Sequence, residues 1–156
     1  MTKSEALQKL KKYCAYQERS HSEVRTKLIS LEVYGDTLEE VIFDLVQEDY
    51  LNEERFARSY ARGKHRIKKW GRDKITQSLK LKRVSEYCIK KAMTEIDPDL
   101  YVETLQEVLK KYYKERKSKY DSHTIRVKLI QHAVSKGYEY HLVKAHMQDI
   151  MTEQER

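Results

Sequence analysis

The chain is poor in the residues that break or staple a backbone. One proline and four glycines punctuate 156 residues, so few positions force a turn and helix can run through most of the chain. Two cysteines, Cys14 and Cys88, stand alone with no CxxC spacing. That excludes a disulfide framework and is the pattern of a reduced, cytoplasmic protein. No apolar run approaches the ~20 residues that cross a bilayer, and the opening MTKSEALQKLKKY lacks a signal peptide's apolar stretch. No membrane partner is expected. Chemistry-bearing motifs are missing as well: there is no HExxH, no Cys/His cluster, no glycine-rich phosphate loop and no GxSxG. His141 and His146 lie five apart, a gap that does not align two ligands on one helix face. Neither a metal, a cofactor nor an enzymatic activity is expected.

What is present is charge. Apolar residues make up 39% of the chain and charged residues 37%, a ratio that suits a thin, elongated molecule rather than one ball. The net charge of +7 is unevenly placed. Residues 1–54 hold 7 Lys/Arg against 12 Asp/Glu, residues 55–91 hold 14 against only Asp73 and Glu86, and residues 92–156 hold 11 of each. The whole excess sits in one central segment, which points to a polyanion or an acidic partner.

Helix starts are marked by capping patterns. Thr2 with Glu5, Ser20 with Glu23 and Asp36 with Glu39 each pair a cap with a carboxylate three residues on. Asn52 precedes Glu53-Glu54, and Asp97-Pro98 is a cap followed by proline at the first helical position. Gly35, Gly71 and Gly137 read as turn or C-terminal cap residues, while Gly63 falls inside a helix. Apolar residues at gaps of three and four, such as Val24, Leu28, Ile29 and Leu31, mark amphipathic helices between these points. Further helices are expected over about 52–68, 72–82, 85–96, 99–119, 122–136 and 140–151.

The pattern repeats. RTKLI at 25–29 returns as RVKLI at 126–130. Leu28 is followed 13 residues later by Val41-Ile42, and Leu129 by Leu142-Val143 after 13, the second member of each pair standing one further on. Leu79 reaches Cys88-Ile89 after only 9, so the middle copy reads as about four residues short. The expected fold is all-α: three tandem three-helix units, 1–51, 52–97 and 98–156, forming an elongated and curved monomer. The leucine and isoleucine of each pentapeptide are expected to face the core, with Arg25, Lys27, Arg126 and Lys128 outward.

The strongest candidate surface is the basic stretch. Arg55, Arg58, Arg62, Arg66 and Lys69 recur every three or four residues along one side of a helix. Lys64, Lys68, Arg72 and Lys74 carry positive charge around it, and Lys82 and Arg83 continue it further on. Such cations can grip phosphate or carboxylate. The plainer alternative is a solvated face paired to acidic neighbours, among them the Glu-rich third helix. Trp70 could stack on a base or a partner, or close a small core. Phe56 and Tyr60 read as core, and the twelve tyrosines, Tyr112-Tyr113, Tyr138 and Tyr140 among them, as the half-buried aromatics a thin bundle needs rather than a contact surface.

The stretch YLNEERFARSYARGKHRIKKWGRDKI, residues 50–75, resembles the signature of the RecX family of bacterial recombination regulators. The matching features are Asn52-Glu53-Glu54 before Arg55-Phe56-Ala57, the aromatic Tyr60, and the step from Gly71 to Ile75. SKGYEYHLV at 135–143 is similar to the family's Lys-Gly-aromatic turn. Four features depart from the family pattern: Trp70 stands where a small or aliphatic residue is usual, Arg72 where proline is common, Asn52 where aspartate is commoner, and KLKRVSEY lacks a glycine in its turn. The resemblance implies tandem three-helix repeats and a regulator that binds the RecA recombinase on its DNA filament. It also implies restraint of strand exchange and coprotease activity. Single- and double-stranded DNA would then be partners, contacted without sequence preference.

Overall fold

The computed structural model describes residues 1–155 and shows, among them, nine α-helices and no strand. These are α1 (Lys3–Tyr16), α2 (His21–Ser30), α3 (Gly35–Gln47), α4 (Glu53–Lys68), α5 (Arg72–Leu81), α6 (Glu86–Met93), α7 (Pro98–Arg116), α8 (Ser122–Ser135) and α9 (Tyr140–Gln154). The chain forms two compact units. One comprises Met1–Tyr60 with Ser78–Met93, and the other Ala61–Gln77 with Thr94 onward.

Most helix starts follow the capping chemistry. Thr2 Oγ1 accepts from the Glu5 amide, and Ser20 with Glu23 forms a full capping box. Asn52 Oδ1 accepts from the Arg55 amide at 2.9 Å, so the asparagine does the work of an aspartate. Asp97 caps α7 ahead of Pro98. Asp36 does not cap α3. That helix begins one residue earlier at Gly35, its N-cap is Tyr34 with no side-chain bond, and Asp36 lies in the first turn, where its charge faces the helix dipole.

In each helix trio the turn between the second and third helices has the same construction. A residue in the left-handed region, Glu32 (φ 61°), Arg83 (φ 61°) or Gly137 (φ 102°), ends the second helix. The next amide bonds five residues back: Val33 to Leu28 O, Val84 to Leu79 O, and Tyr138 to Ala133 O, at 3.0–3.1 Å. This is a Schellman closure, and the residue after the turn, Val33, Val84 or Tyr138, is buried each time. The third helix then starts three residues past the left-handed position. The missing glycine of KLKRVSEY therefore leaves the turn unchanged in form, with Arg83 taking a conformation that costs a side-chain-bearing residue roughly 1 kcal/mol.

These turns correct the register of the repeat. Counted from the start of the second helix, Val24, Ile75 and Ile125 are equivalent, as are Leu28, Leu79 and Leu129, and all six are buried. Counted from the left-handed residue, Leu38 matches Ile89 and Val143, and Leu45 matches Ile96 and Ile150. The first two copies thus share one spacing, and the third is the long one. Its α8 runs 14 residues against 10 in α2 and α5. The matching 13-residue gaps of the outer copies arise from comparing Val41-Ile42, one turn beyond the equivalent Leu38. Within the pentapeptides Leu28 and Leu129 are fully buried, but Ile29 is 51% exposed and Ile130 half-buried, so the isoleucine lies at the edge rather than in the core.

The core of the first unit gathers Ala6, Leu10 and Cys14 of α1 with Val24, Leu28, Val33, Leu38, Val41, Leu45 and Leu51. Burial raises the Cys14 thiol to about 11, so it packs as a small apolar group. In the second unit α7, α8 and α9 pack mutually around Leu105, Leu109, Leu129, Val143 and Ile150. Each fully buried leucine of this kind contributes about 2 kcal/mol.

Candidate functional site

Helix α4 carries the basic stretch, and its sequence explains its shape. Glu53 and Glu54 occupy the first turn, with His65, Arg66 and Lys68 in the last, so both ends complement the helix dipole. Phe56, Ala57, Ala61 and His65 are buried at gaps of one and four, which turns the arginines outward. Gly63 sits within the helix, and a Cβ there would meet only open space. Tyr60 is half-buried and shares a hydrogen bond with Ser78.

Most of the cation stripe already has acidic partners. Arg55 bonds Glu18 at 2.6 Å and Asp49 at 3.1 Å. Arg58 pairs with Glu54 one turn back at 3.0 Å, and Arg62 with Glu95 at 3.0 Å. Lys69 reaches Glu107 at 2.9 Å. Arg66 makes no ion pair among the described residues, nor does Lys68, and both are exposed on either side of Ile67, itself 78% exposed. The structure thus divides the stripe. Four cations stand against carboxylates, and the end of α4 holds charge with no such neighbour. The remaining candidates are similarly mixed. Lys82 lies 3.9 Å from Glu23, and Arg25 grips Glu39 with two bonds of 2.7 and 2.9 Å. Arg83 is exposed, and Lys27 lies 5.6 Å over the ring of Tyr13. Lys128 lies 4.8 Å over Tyr120, while Arg126 is half-buried on α8.

Beyond α4 the chain turns through Lys69 (φ 57°) into Trp70, whose amide closes on Lys64 O at 3.2 Å. The Trp70 ring lies between two ammonium groups, Lys64 at 5.0 Å and Lys74 at 4.6 Å, and is half-buried. Its carbonyl accepts a 3.0 Å bond from His65 Nδ1, while His65 Nε2 is buried without a partner among the described residues. The tryptophan is therefore clamped by cations rather than sealed into the core.

Arg72 has a structural post. Its guanidinium bonds Glu139 at 2.8 Å and covers the Tyr101 ring at 3.8 Å, while its backbone amide donates to Tyr101 Oη at 3.0 Å. Proline at this position could not make that last bond. Tyr101 in turn donates to Glu139. Burial works to raise the Glu139 carboxyl, but the bonds from Tyr101 and Arg72 overcome it and hold the group below the usual glutamate range. Burial, then the bond to Glu139, pushes the Tyr101 hydroxyl far up, so it stays protonated as a donor. Alongside, the turn at Gly71 lies directly on the turn at Gly137. Gly71 N donates to Lys136 O at 2.7 Å, Asp73 N to Gly137 O at 2.9 Å, and Tyr138 Oη to Lys69 O at 2.8 Å. A Cβ on Gly71 would collide with the Gly137 carbonyl carbon. Glu139, Tyr101 and the Gly71–Gly137 contact were not singled out from sequence as a junction. The SKGYEY turn was the one signal of it.

Among the described residues no group of His, Cys, Asp or Glu could hold a metal ion, and no helix is long and apolar enough to cross a membrane. Fold and surface together define an all-α protein of repeated three-helix units with an uneven basic face. Residues 52–93 match the model for the second three-helix domain of RecX, and residues 99–147 that for the third. The chain belongs to the RecX family. It is 32% identical over 123 residues to a regulatory protein RecX of Clostridium perfringens, covering 78% of this chain and 57% of that protein. It is 26% identical over 133 residues to one from Streptococcus uberis, covering 85% and 50%. The chain thus spans between half and three fifths of the length of these relatives. The crystal structure of RecX from Lactobacillus salivarius superposes with a TM-score of 0.84 at 25% identity, over 96% of this chain and 97% of that one.

Proposed function

We propose that this chain binds a RecA–DNA filament and restrains it, limiting the recombinase and coprotease activities of RecA in DNA repair and recombination. Membership of a family of regulatory proteins carries this reading. Arg66 and Lys68 supply its first physical handle. They sit in the segment that holds 14 Lys/Arg against two acids, and among the described residues they have no carboxylate to displace before meeting phosphate or an acidic protein surface. Arg55, Arg58, Arg62, Lys64, Lys69, Lys74, Lys82 and Arg83 form the wider candidate surface, and those in ion pairs would exchange a carboxylate for a phosphate. The protein acts by occupancy, as a cytoplasmic monomer without catalysis of its own.

The deciding experiment is RecA ATPase on single-stranded DNA with this protein added below one copy per RecA. Inhibition at such levels is expected. Inhibition only when the protein coats all the DNA would leave plain DNA binding as the better reading, since a segment of this charge binds DNA at low salt. Charge reversal at Arg66 and Lys68 should weaken the effect without loss of helix content.

A further inference from the structure

The second unit contains a cleft of about 460 Å³ between α7 and α8. The longer second helix of the third copy supplies one side of it. The four added residues of α8 include His132, and Lys136 follows at the end of that extra turn. Across from them, Lys111, Tyr112, Glu115 and Arg116 lie at helical spacing along α7. Lys69, the last cation of the basic stripe, also lines the cleft, while the other lining residues lie outside that stripe.

The charges lining the cleft do not balance. Glu107 is taken by Lys69 at 2.9 Å and Glu115 by Arg116 at 3.2 Å. Lys111 and Lys136 have no carboxylate partner among the described residues. Lys136 is half-buried; its burial, then Lys74, Lys111 and Lys69, draw its pKa below the ordinary lysine value. Crowded ammonium groups repel one another, and an anion placed among them removes that cost. The wall beside them is a planar stack. Tyr112 stacks on His132 at 4.4 Å, and the Arg116 guanidinium lies 4.2 Å from the Tyr112 centroid. Burial, Lys136 and Arg116 lower the His132 pKa, so the imidazole is neutral and able to stack at neutral pH. Two lysines left without an ion-pair partner among the described residues, beside a planar stack, are complementary to a phosphate attached to a base.

We propose that this cleft binds one nucleotide, with its phosphate held by Lys111 and Lys136 and its base lying against the Tyr112–His132–Arg116 stack. The proposal rests on the nucleic-acid reading above and adds a site to it. The nucleotide comes either from a single strand or from a free nucleotide, and the chemistry that recognises it is the same.

The test uses the full chain without RecA. Binding of labelled oligothymidylate is followed by anisotropy across a salt series for the wild type, for Lys111→Gln with Lys136→Gln, and for a control, Lys114→Gln with Lys144→Gln, on the same unit. Circular dichroism checks that all three are folded. Because the two lysines hold one phosphate, the cleft variant should flatten the log–log salt slope by about 0.7 and bind about fivefold more weakly at moderate salt. The control should change far less. The His132 ring signals in the NMR spectrum should move on addition of oligothymidylate to the wild type, and not in the cleft variant. Thymidine monophosphate and inorganic phosphate form the second arm. If the monophosphate moves the same signals and displaces the strand, the site takes free nucleotide; if the strand alone does so, the site reads strand. Equal loss of slope in both variants, or a His132 signal that neither ligand moves, overturns the proposal. Absence of any effect of the wild type on RecA ATPase, with the cleft behaving as expected, would remove the filament reading and leave the site standing.

Discussion

Two junctions in this molecule solve one problem in different ways. In each, the start of the second helix of one trio bonds the turn of the next trio, at the residue just before the left-handed position. In the first unit Ser22 Oγ donates to Lys82 O at 2.9 Å, beside Arg83. In the second unit Gly71 N donates to Lys136 O at 2.7 Å, beside Gly137. The acceptor is equivalent, but the donor is a side chain in one case and bare backbone in the other. A hydroxyl on a rotatable Cβ tolerates some displacement. Two glycine turns in backbone contact do not, because any added atom must occupy filled space. The second junction is further tied by the Arg72–Glu139–Tyr101 network. The same repeat can therefore be joined loosely or tightly according to what stands at two positions.

The largest expected effect comes from breaking the tight junction at its closest point. Gly71→Ala should destabilise the second unit by about 3 kcal/mol, seen as a lower urea midpoint. Glu139→Gln removes the negative charge and one of the two acceptor oxygens that serve Tyr101 and Arg72, and should cost about 2 kcal/mol at neutral pH. Its pH dependence sharpens the comparison. The folded-state pKa of Glu139 is lowered, so its contribution is complete above the unfolded value of about 4.3 and fades as pH falls through the folded one. Asp73, raised by burial and by Glu139, has the opposite slope. The glutamine variant should lose less stability than the wild type on acidification below the unfolded value, measured by denaturation at several pH values.

Ser22→Ala tests the looser junction and should cost about 1 kcal/mol. A loss as great as that of Gly71→Ala would erase the distinction between the two. Smallest of all, Arg83→Gly should raise the midpoint slightly, by about 0.5 kcal/mol, since relief of the left-handed strain exceeds the glycine's added freedom in the unfolded chain.

Much of the architecture was readable in advance. Caps at Thr2, Ser20, Asn52 and Asp97 depend on bonds spanning three residues, and amphipathic stripes such as Val24–Leu28 depend on helical period alone. Spacing alone makes the middle copy look short where the third is in fact long, because Glu32 and Arg83 adopt a left-handed turn that no local residue type announces. The state of the basic face was also hidden. Arg55 finds Glu18 at a separation of 37 residues and Lys69 finds Glu107 at 38, so a stripe that looks uniformly available from its sequence is mostly occupied. Lys111 and Lys136 lie 25 residues apart and share a cleft only once α7 and α8 pack together.

By itself, then, the sequence determined that this is a helical, thrice-repeated chain with its positive charge concentrated in the middle, because propensity, capping and periodicity act over a few residues. Only the tertiary structure decided which cations are already paired, where two glycines touch and where an anion could sit. Those outcomes depend on groups far apart in the chain, and their charge and volume matter only at contact distance.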